Sequence, residues 1–425
     1  MTSLIPIIIL SVVLILIAVR KIGRINFRIW QIMTLGALSV LLTMQITLID
    51  AFKAINFDVI FFLFGMFIIG EALEQSGYLS HMSYHFFKKA KNVDALILMI
   101  LFGAGLASAF LMNDTLAIIG TPVVLLLARK HRMSAKMLLI TLAFAVTIGS
   151  VLSPIGNPQN LLIALSGNAS GNLQLPFITF IKYLFIPTVI NLFIAYLLIK
   201  LFYKNEFHNG NLDYDEEPIK DKDLANLCKI SLMIVAIMII AKLSIFLLKL
   251  NFDFKLTYIA LVGAIPIILF SNKRIEIIKK TDHYTLIFFA SMFIMMQSVW
   301  NTGFFQEIIE SSGMNLTSLV MIFIVSVLLS QLISNVPLVA LYLPILISAG
   351  ASSKELMALA AGSTIAGNML ILGAASNVII IQNAERYAEK SGDQESTITF
   401  WEFAKIGIPL TMINVLVYYL YFSFV

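Results

Sequence analysis

Two apolar runs, residues 95 to 128 and 316 to 349, constrain this chain more than any other feature. Each is too long for one helical crossing of a bilayer, which takes about 20 residues. Each also carries a polar break in its middle: Asn113-Asp114-Thr115 in the first and Ser334-Asn335-Val336-Pro337 in the second. Lipid cannot satisfy free backbone groups, so a break at membrane depth survives only where protein or a water-filled cavity lines it. Further apolar runs lie at about 4 to 19, 29 to 47, 57 to 74, 136 to 166, 183 to 202, 229 to 249, 256 to 271, 284 to 300, 355 to 383 and 402 to 424. With 59% apolar and 12% charged residues in 425, and a mean hydropathy of +0.93, there is room for crossings and short loops and none for a large soluble catalytic domain. The first run follows no basic segment and precedes no small-residue cleavage site, so it reads as a span rather than a signal peptide. The single cysteine, Cys228, excludes a disulfide framework and a multi-cysteine metal centre.

The charges set the threading. Lys88, Lys89 and Lys91 precede the first long run, and Arg129, Lys130, Arg132 and Lys136 follow it, so both of its ends belong on the cytoplasmic side. It must enter and return, as a re-entrant hairpin or as two full spans, and arms of roughly 18 and 14 residues favour the hairpin. The second long run is preceded by Asn301 to Asn315, without Lys or Arg, and followed by a loop holding only Lys354, so it returns to the other side. Counting both as returns gives ten spans, with the N-terminus and the C-terminus outside the cell membrane. Most of the 29 Lys and Arg residues then face the cytoplasm, and the net charge of +5 reports loop charge rather than a nucleic-acid partner.

The chain also repeats itself. Val59 to Gly77 aligns without gaps on Thr285 to Gly303, Asn113 to Pro122 on Asn335 to Pro344, and Thr147 to Asn160 on Thr364 to Asn377. The fold expected is an all-α polytopic membrane protein of two repeats, each with five transmembrane helices, one re-entrant hairpin and a second broken helix. The first repeat is 1–203 (hairpin 95–128, broken helix 136–166). A cytoplasmic linker, 204–227, leads to the second, 228–425 (hairpin 316–349, broken helix 355–383). Five spans is an odd number, so the second repeat sits upside down relative to the first. Inverted repeats with broken helices mark secondary transporters, whose site lies near the midplane where the repeats meet. Four breaks qualify: Asn113 to Thr115, Ser153 to Asn160, Ser334 to Pro337 and Leu372 to Asn377. The residues expected to bind substrate or ion are Asn113, Asp114, Thr115, Ser153, Gly156, Asn157, Asn160, Ser334, Asn335, Gly373, Ser376 and Asn377.

These residues resemble those of the ion transporter superfamily, which includes arsenite permeases, NhaD-type sodium/proton antiporters and divalent anion:sodium symporters. The resemblance covers nearly the whole chain. Asn113-Asp114-Thr115 resembles the Asn-Asp hairpin motif of the arsenite permease and NhaD branch, where dicarboxylate carriers have Ser-Asn-Thr. Gly156-Asn157-Pro158-Gln159-Asn160 and Ser334-Asn335-Val336-Pro337 look most like prokaryotic anion permeases of the arsenite permease-like branch. The resemblance implies a hairpin-bearing transport domain that slides against a scaffold as an elevator, in a homodimer. It pairs Asn113 with Gly156 to Asn160, and Ser334-Asn335 with Gly373 to Asn377. The chain departs from the dicarboxylate carriers at both tips: Asp114 replaces a neutral residue, and Val336-Pro337 supplies no hydroxyl after Asn335.

A carboxylate at the centre of a membrane helix costs about 2.5 to 3.5 kcal/mol, so Asp114 needs a partner, a proton or a cation. It is expected to bind the coupling proton or sodium ion; a protonated Asp114 that merely caps the second arm is the bland alternative. Sodium, as coupling ion, is expected at Asn113, Asp114 and Asn157. Glu71 reads as a near-interface polar contact, with a proton-relay role as the alternative. Lys242 pairs with an acid or snorkels. His81 and His85, spaced i,i+4 in a basic loop without an acidic neighbour, do not read as a metal site, and Gly103, Gly105 and Ser108 read as helix packing. No cofactor is expected. The absence of a GxxxxGK[ST] motif places ATP hydrolysis outside this chain, although an external ATPase subunit stays open. A channel would want a continuous polar stripe, and an enzyme clustered His, Glu or Cys at depth; the spans have neither. The expected function is secondary active transport of a small anion or oxyacid, such as arsenite, coupled to a proton or sodium gradient. An NhaD-type antiporter is the alternative, and a sodium-coupled dicarboxylate symporter the third.

Overall fold

The computed structural model describes residues 4–19, 21–22, 25–26, 29–78, 81–82, 87–169, 171, 173, 176–207, 219–247, 254–304, 307, 316–333, 335–391 and 397–425. Apart from a two-residue antiparallel pair, Lys21–Ile22 with Ile25–Asn26, their regular secondary structure is helical. The first repeat holds α1 (Ile5–Val19), α2 (Ile29–Leu42), α3 (Leu48–Ala54), α4 (Phe57–Ser76), the hairpin arms α5 (Val93–Leu111) and α6 (Asn113–His131), the halves α7 (Ala135–Ser150) and α8 (Pro158–Ala169) of a broken helix, and α9 (Pro176–Phe202). The second holds α10 (Lys222–Leu247), α11 (Leu256–Phe270), α12 (Arg274–Lys280), α13 (His283–Trp300), the arms α14 (Leu319–Ile333) and α15 (Asn335–Ser348), the halves α16 (Ser353–Ile365) and α17 (Ala375–Ser391), and α18 (Phe400–Phe424). Among the described residues five helices are long and apolar enough to cross a bilayer alone, and α3 with α4, bent by 54° between them, is long and apolar enough as a pair. The halves α7, α8 and α16 are shorter because a polar break divides each of their crossings.

The repeat is visible down to single hydrogen bonds. Asn56 caps α4 by accepting the Val59 N–H at 3.2 Å, and Asp282 caps α13 by accepting the Thr285 N–H at 3.0 Å. Both helices end the same way: the Ser76 hydroxyl donates to the Leu73 carbonyl and Thr302 to Val299, before glycines Gly77 and Gly303 at φ of 69° and 71°. Only glycine takes that left-handed C-terminal turn without strain. The two copies run in opposite directions. Asp58, at the start of α4, is held by Lys255 at 2.9 Å, while Glu74, near the end of α4, lies within electrostatic reach of Lys280, just before α13. The second copy is therefore inverted.

Packing sorts the elements into two groups. α1 to α4 pack with α10, α11 and α13, chiefly α4 on α11 and α2 on α13. The hairpins, broken helices, α9 and α18 form the second group: α5 and α6 on α7, α17 on α6, α14 on α16, and α9 on α18. The groups meet where α4 touches α6 and α8, and where α13 touches α15. Gly105 in α5 and Gly149 in α7 bring two backbones together; a Cβ at Gly149 would lie 2.1 Å from the Gly105 carbonyl oxygen. Gly105 is thus a packing glycine, and the Ser108 hydroxyl donates back to its carbonyl at 2.7 Å.

Candidate functional site

The first hairpin turns at Met112, one residue before the polar triplet, so Asn113, Asp114 and Thr115 form the first turn of α6 rather than the break itself. Met112 is buried with φ of 67°, a conformation that costs a non-glycine residue about 1–3 kcal/mol. The turn aims the Asn113 N–H at the Gly156 carbonyl, 2.9 Å away, docking the tip on the first broken helix. The Asn113 side-chain amide donates to the Ser376 hydroxyl at 3.4 Å. One tip therefore touches both broken helices, more than the pairing implied by resemblance. Asp114 is 2% exposed, and its Oδ1 and the Thr115 hydroxyl have no hydrogen-bond partner.

The two broken helices use one device. The Asn160 amide donates to the carbonyls of Ser150 and Ser153, each at 3.1 Å; the Asn377 amide donates to those of Gly367 at 2.6 Å and Leu370 at 3.5 Å. These are equivalent positions in the aligned segments, so each asparagine takes over carbonyls that the interrupted helix leaves free. Asn157 caps α8 by accepting the Asn160 N–H at 2.8 Å, and donates to Ser150 and Thr364. Asn157 thus braces the break, as Asn113, whose Oδ1 accepts the Asp114 N–H at 3.0 Å, braces the tip; of the expected sodium set Asp114 has the unpartnered oxygen. Ser153 steadies the loop by accepting the Ile155 N–H at 3.2 Å. Thr364, from the other repeat, also accepts from Gln159 and donates to Asn160, both at 3.3 Å. It ties the two repeats together at this level and was not singled out from the sequence; its alignment with Thr147 was the available signal.

Of the second tip, Ser334 lies outside the described residues. Asn335 is buried beside Gly367, and its Oδ1, like that of Asn377, has no partner. Gln331 donates to the Ala366 carbonyl at 2.8 Å, and Gly373 packs on the same carbonyl. His85 and the Lys242 side chain also lie outside the description. Among the described residues no three His, Cys, Asp or Glu side chains cluster as a metal site.

A cavity of about 990 Å³ joins these parts. Its floor is made of four helix starts: Asn113 to Thr115 of α6, Pro158 and Gln159 of α8, Asn335 and Val336 of α15, and Ala375 of α17. The Asn113, Asp114 and Asn160 N–H groups are already taken and Pro158 and Pro337 have none, but each start carries a partial positive charge, and these with the remaining N–H groups favour an anion or a polar oxygen. Asp114 is the single carboxylate there. The mouth is ringed by Lys279, Lys280, Asp282, His283 and Glu385, and one wall carries Glu71 and Glu74. Glu71 lines this cavity and also makes a polar contact, accepting from the Gln75 amide at 2.7 Å.

Comparison with known proteins agrees with this architecture. A family model described as "Citrate transporter" matches residues 12–355. An uncharacterized transporter of Mycobacterium tuberculosis is 28% identical over 89% of this chain and 90% of its own length. The silicon efflux transporter of Oryza sativa subsp. japonica is 26% identical, covering 89% of both chains. The crystal structure of the Alcanivorax borkumensis YdaH transporter, described as having an unusual topology, superimposes with a TM-score of 0.58 over 99% of this chain and 97% of that one, at 17% identity, a likeness of fold alone. With inverted repeats, paired broken helices and a family match over most of its length, the chain is an integral, multi-pass membrane transporter that belongs to the citrate transporter family.

Proposed function

We propose that this transporter moves a small, weakly charged oxyacid or its anion across the cell membrane, coupled to a proton or sodium ion held at Asp114. The observation that carries this reading is the cavity floor: four helix starts around one buried carboxylate, with no Lys or Arg among the floor residues. An oxyacid such as arsenite or silicic acid offers oxygens to those N–H groups without bringing several charges next to Asp114. A multiply charged anion such as citrate would be repelled until Asp114 is neutralised. Substrate and coupling ion then favour each other's binding, which is what coupling requires. The rice relative, named for silicon efflux, supports an oxyacid over citrate. The hairpin-bearing group of helices moves as an elevator against the other, in a homodimer, with both termini outside.

A second reading, sodium/proton antiport, rests on the unpartnered Asp114 oxygen alone. Purified protein in proteoliposomes separates the two. Arsenite, silicic acid, phosphate, sulfate and citrate are offered under imposed proton or sodium gradients. Saturable, gradient-dependent accumulation of arsenite or silicic acid is expected, and its loss in Asp114→Asn. Sodium/proton exchange with no second solute would replace the first reading with the second.

A further inference from the structure

Glu71 and Glu74 have no role in the account above, yet both line the cavity. They lie one helical turn apart on α4, the i,i+3 spacing that makes side chains neighbours. Exposure falls from mouth to floor: Glu74 is exposed, Glu71 half-buried, and Asp114 buried with an unpartnered oxygen. Gly70, beside Glu71, lies against Thr115, beside Asp114; a Cβ at Gly70 would sit 2.9 Å from the Thr115 methyl carbon. Glu74 and Glu71 on the α4 wall and Asp114 at the floor therefore form a series of decreasing exposure lining one cavity. The second repeat has Gln297 and Trp300 at the positions equivalent to Glu71 and Glu74, so the series exists on one side only.

We propose that Glu74 and Glu71 are a one-sided proton relay between the cytoplasm and Asp114. It rests on the reading that Asp114 holds the coupling proton. A proton leaving the Asp114 carboxyl passes through cavity water to the Glu71 carboxylate, then to Glu74, then to bulk water at the mouth; uptake retraces the path. No other bond changes.

The surroundings suit two acids that ionise in turn. Gln75 donates to Glu71 Oε1 at 2.7 Å. Lys280 lies within electrostatic reach of both glutamates and Lys220 of Glu74, while Glu276 engages Lys280 at 2.7 Å. Asp282 is within electrostatic reach of Asp114, and Lys279, His283 and Glu385 complete the charged lining. Of the other helices packed on α4, α11 and α8 bring no charged side chain, while α10 brings Lys222, Asp223 and Lys229.

The test uses right-side-out and inside-out membrane vesicles, arsenite as the probe, and pH varied on one face at a time. In E71Q/E74Q the response of the initial rate to cytoplasmic-face pH is expected to fall at least tenfold. The response to the opposite face and the KM for arsenite stay within twofold, and Glu71→Asp with Glu74→Asp restores the response. A merely structural role would shift KM and both faces together, and would overturn the relay. So would a double variant that keeps its cytoplasmic-face response while Asp114→Asn loses it; then the relay alone is wrong. If the wild type ignores pH on both faces, proton coupling at Asp114 fails and the relay falls with it.

Discussion

Replacing Gly156 by alanine places a Cβ 2.1 Å from the Ser150 carbonyl oxygen and 2.9 Å from the Ser150 carbonyl carbon and Cα. These are backbone atoms, and the Ser150 oxygen is already held by Asn160, so they cannot turn aside as a flexible side chain would. The loop must shift. Overpacking of this kind costs about 1–3 kcal/mol. The Gly156 carbonyl also receives the Asn113 N–H, and weakening that hydrogen bond adds about 0.5–1.5 kcal/mol. The docked hairpin tip should therefore lose about 1.5–4.5 kcal/mol, which lowers its population relative to undocked states roughly tenfold to two-thousandfold. Initial uptake rates in proteoliposomes and melting of the detergent-solubilised protein should both fall. The equivalent glycine of the second repeat supplies an internal comparison: at Gly373 the nearest atoms lie 3.1–3.2 Å from the added Cβ, so Gly373→Ala should be much milder. Wild-type transport and melting in Gly156→Ala, or equal damage from the two substitutions, would refute the reasoning.

Thr364→Val leaves the amides of Asn157 and Gln159 without their shared acceptor in a buried site, at a cost of about 1–3 kcal/mol, while Thr364→Ser keeps the hydroxyl and should restore most of it. Melting temperatures of the two variants check this. Outside the membrane, the Asp221 carboxyl is held below the usual carboxylate range, first by the Leu224 backbone N–H it accepts and then by Lys273 at 2.7 Å. Its folded-state pKa is depressed, so its contribution to stability is present above the ordinary carboxylate range and is lost as pH falls through the depressed value. Asp221→Asn should therefore lower the melting temperature at neutral pH, and the gap to wild type should close on acidification; a gap that is constant with pH would contradict this assignment.

Much of this architecture was legible because membrane depth penalises free backbone groups. The polar breaks at Asn113, Ser153, Asn335 and Leu372 could be nothing but special sites, and the alignment of Val59 to Gly77 with Thr285 to Gly303 extends in three dimensions to matched caps and matched left-handed glycines. What stayed hidden depends on contacts between segments far apart in sequence. Thr364 looks like an ordinary helix threonine until α16 is laid across the first break. Met112 looks like a core apolar residue, and nothing local marks it as the turn. That Glu71 lines a cavity is not local either, because the cavity beside α4 is made by α6, α15 and α17. Similarly, Thr188 and Asn191 of α9 face their counterparts' helix α18, where Thr188 meets the Tyr418 hydroxyl at 2.5 Å, a buried polar contact inside two strongly apolar runs.

The central claim is that the one carboxylate among four helix starts couples an ion to an oxyacid. Its most direct test compares two modes of arsenite flux in proteoliposomes carrying wild type or Asp114→Asn: exchange between equal internal and external pools, and accumulation driven by a proton gradient. Asparagine mimics a permanently neutral carboxyl, so exchange should persist while gradient-driven accumulation and the accompanying proton flux disappear. Undiminished accumulation with undiminished proton flux in the variant would contradict the account.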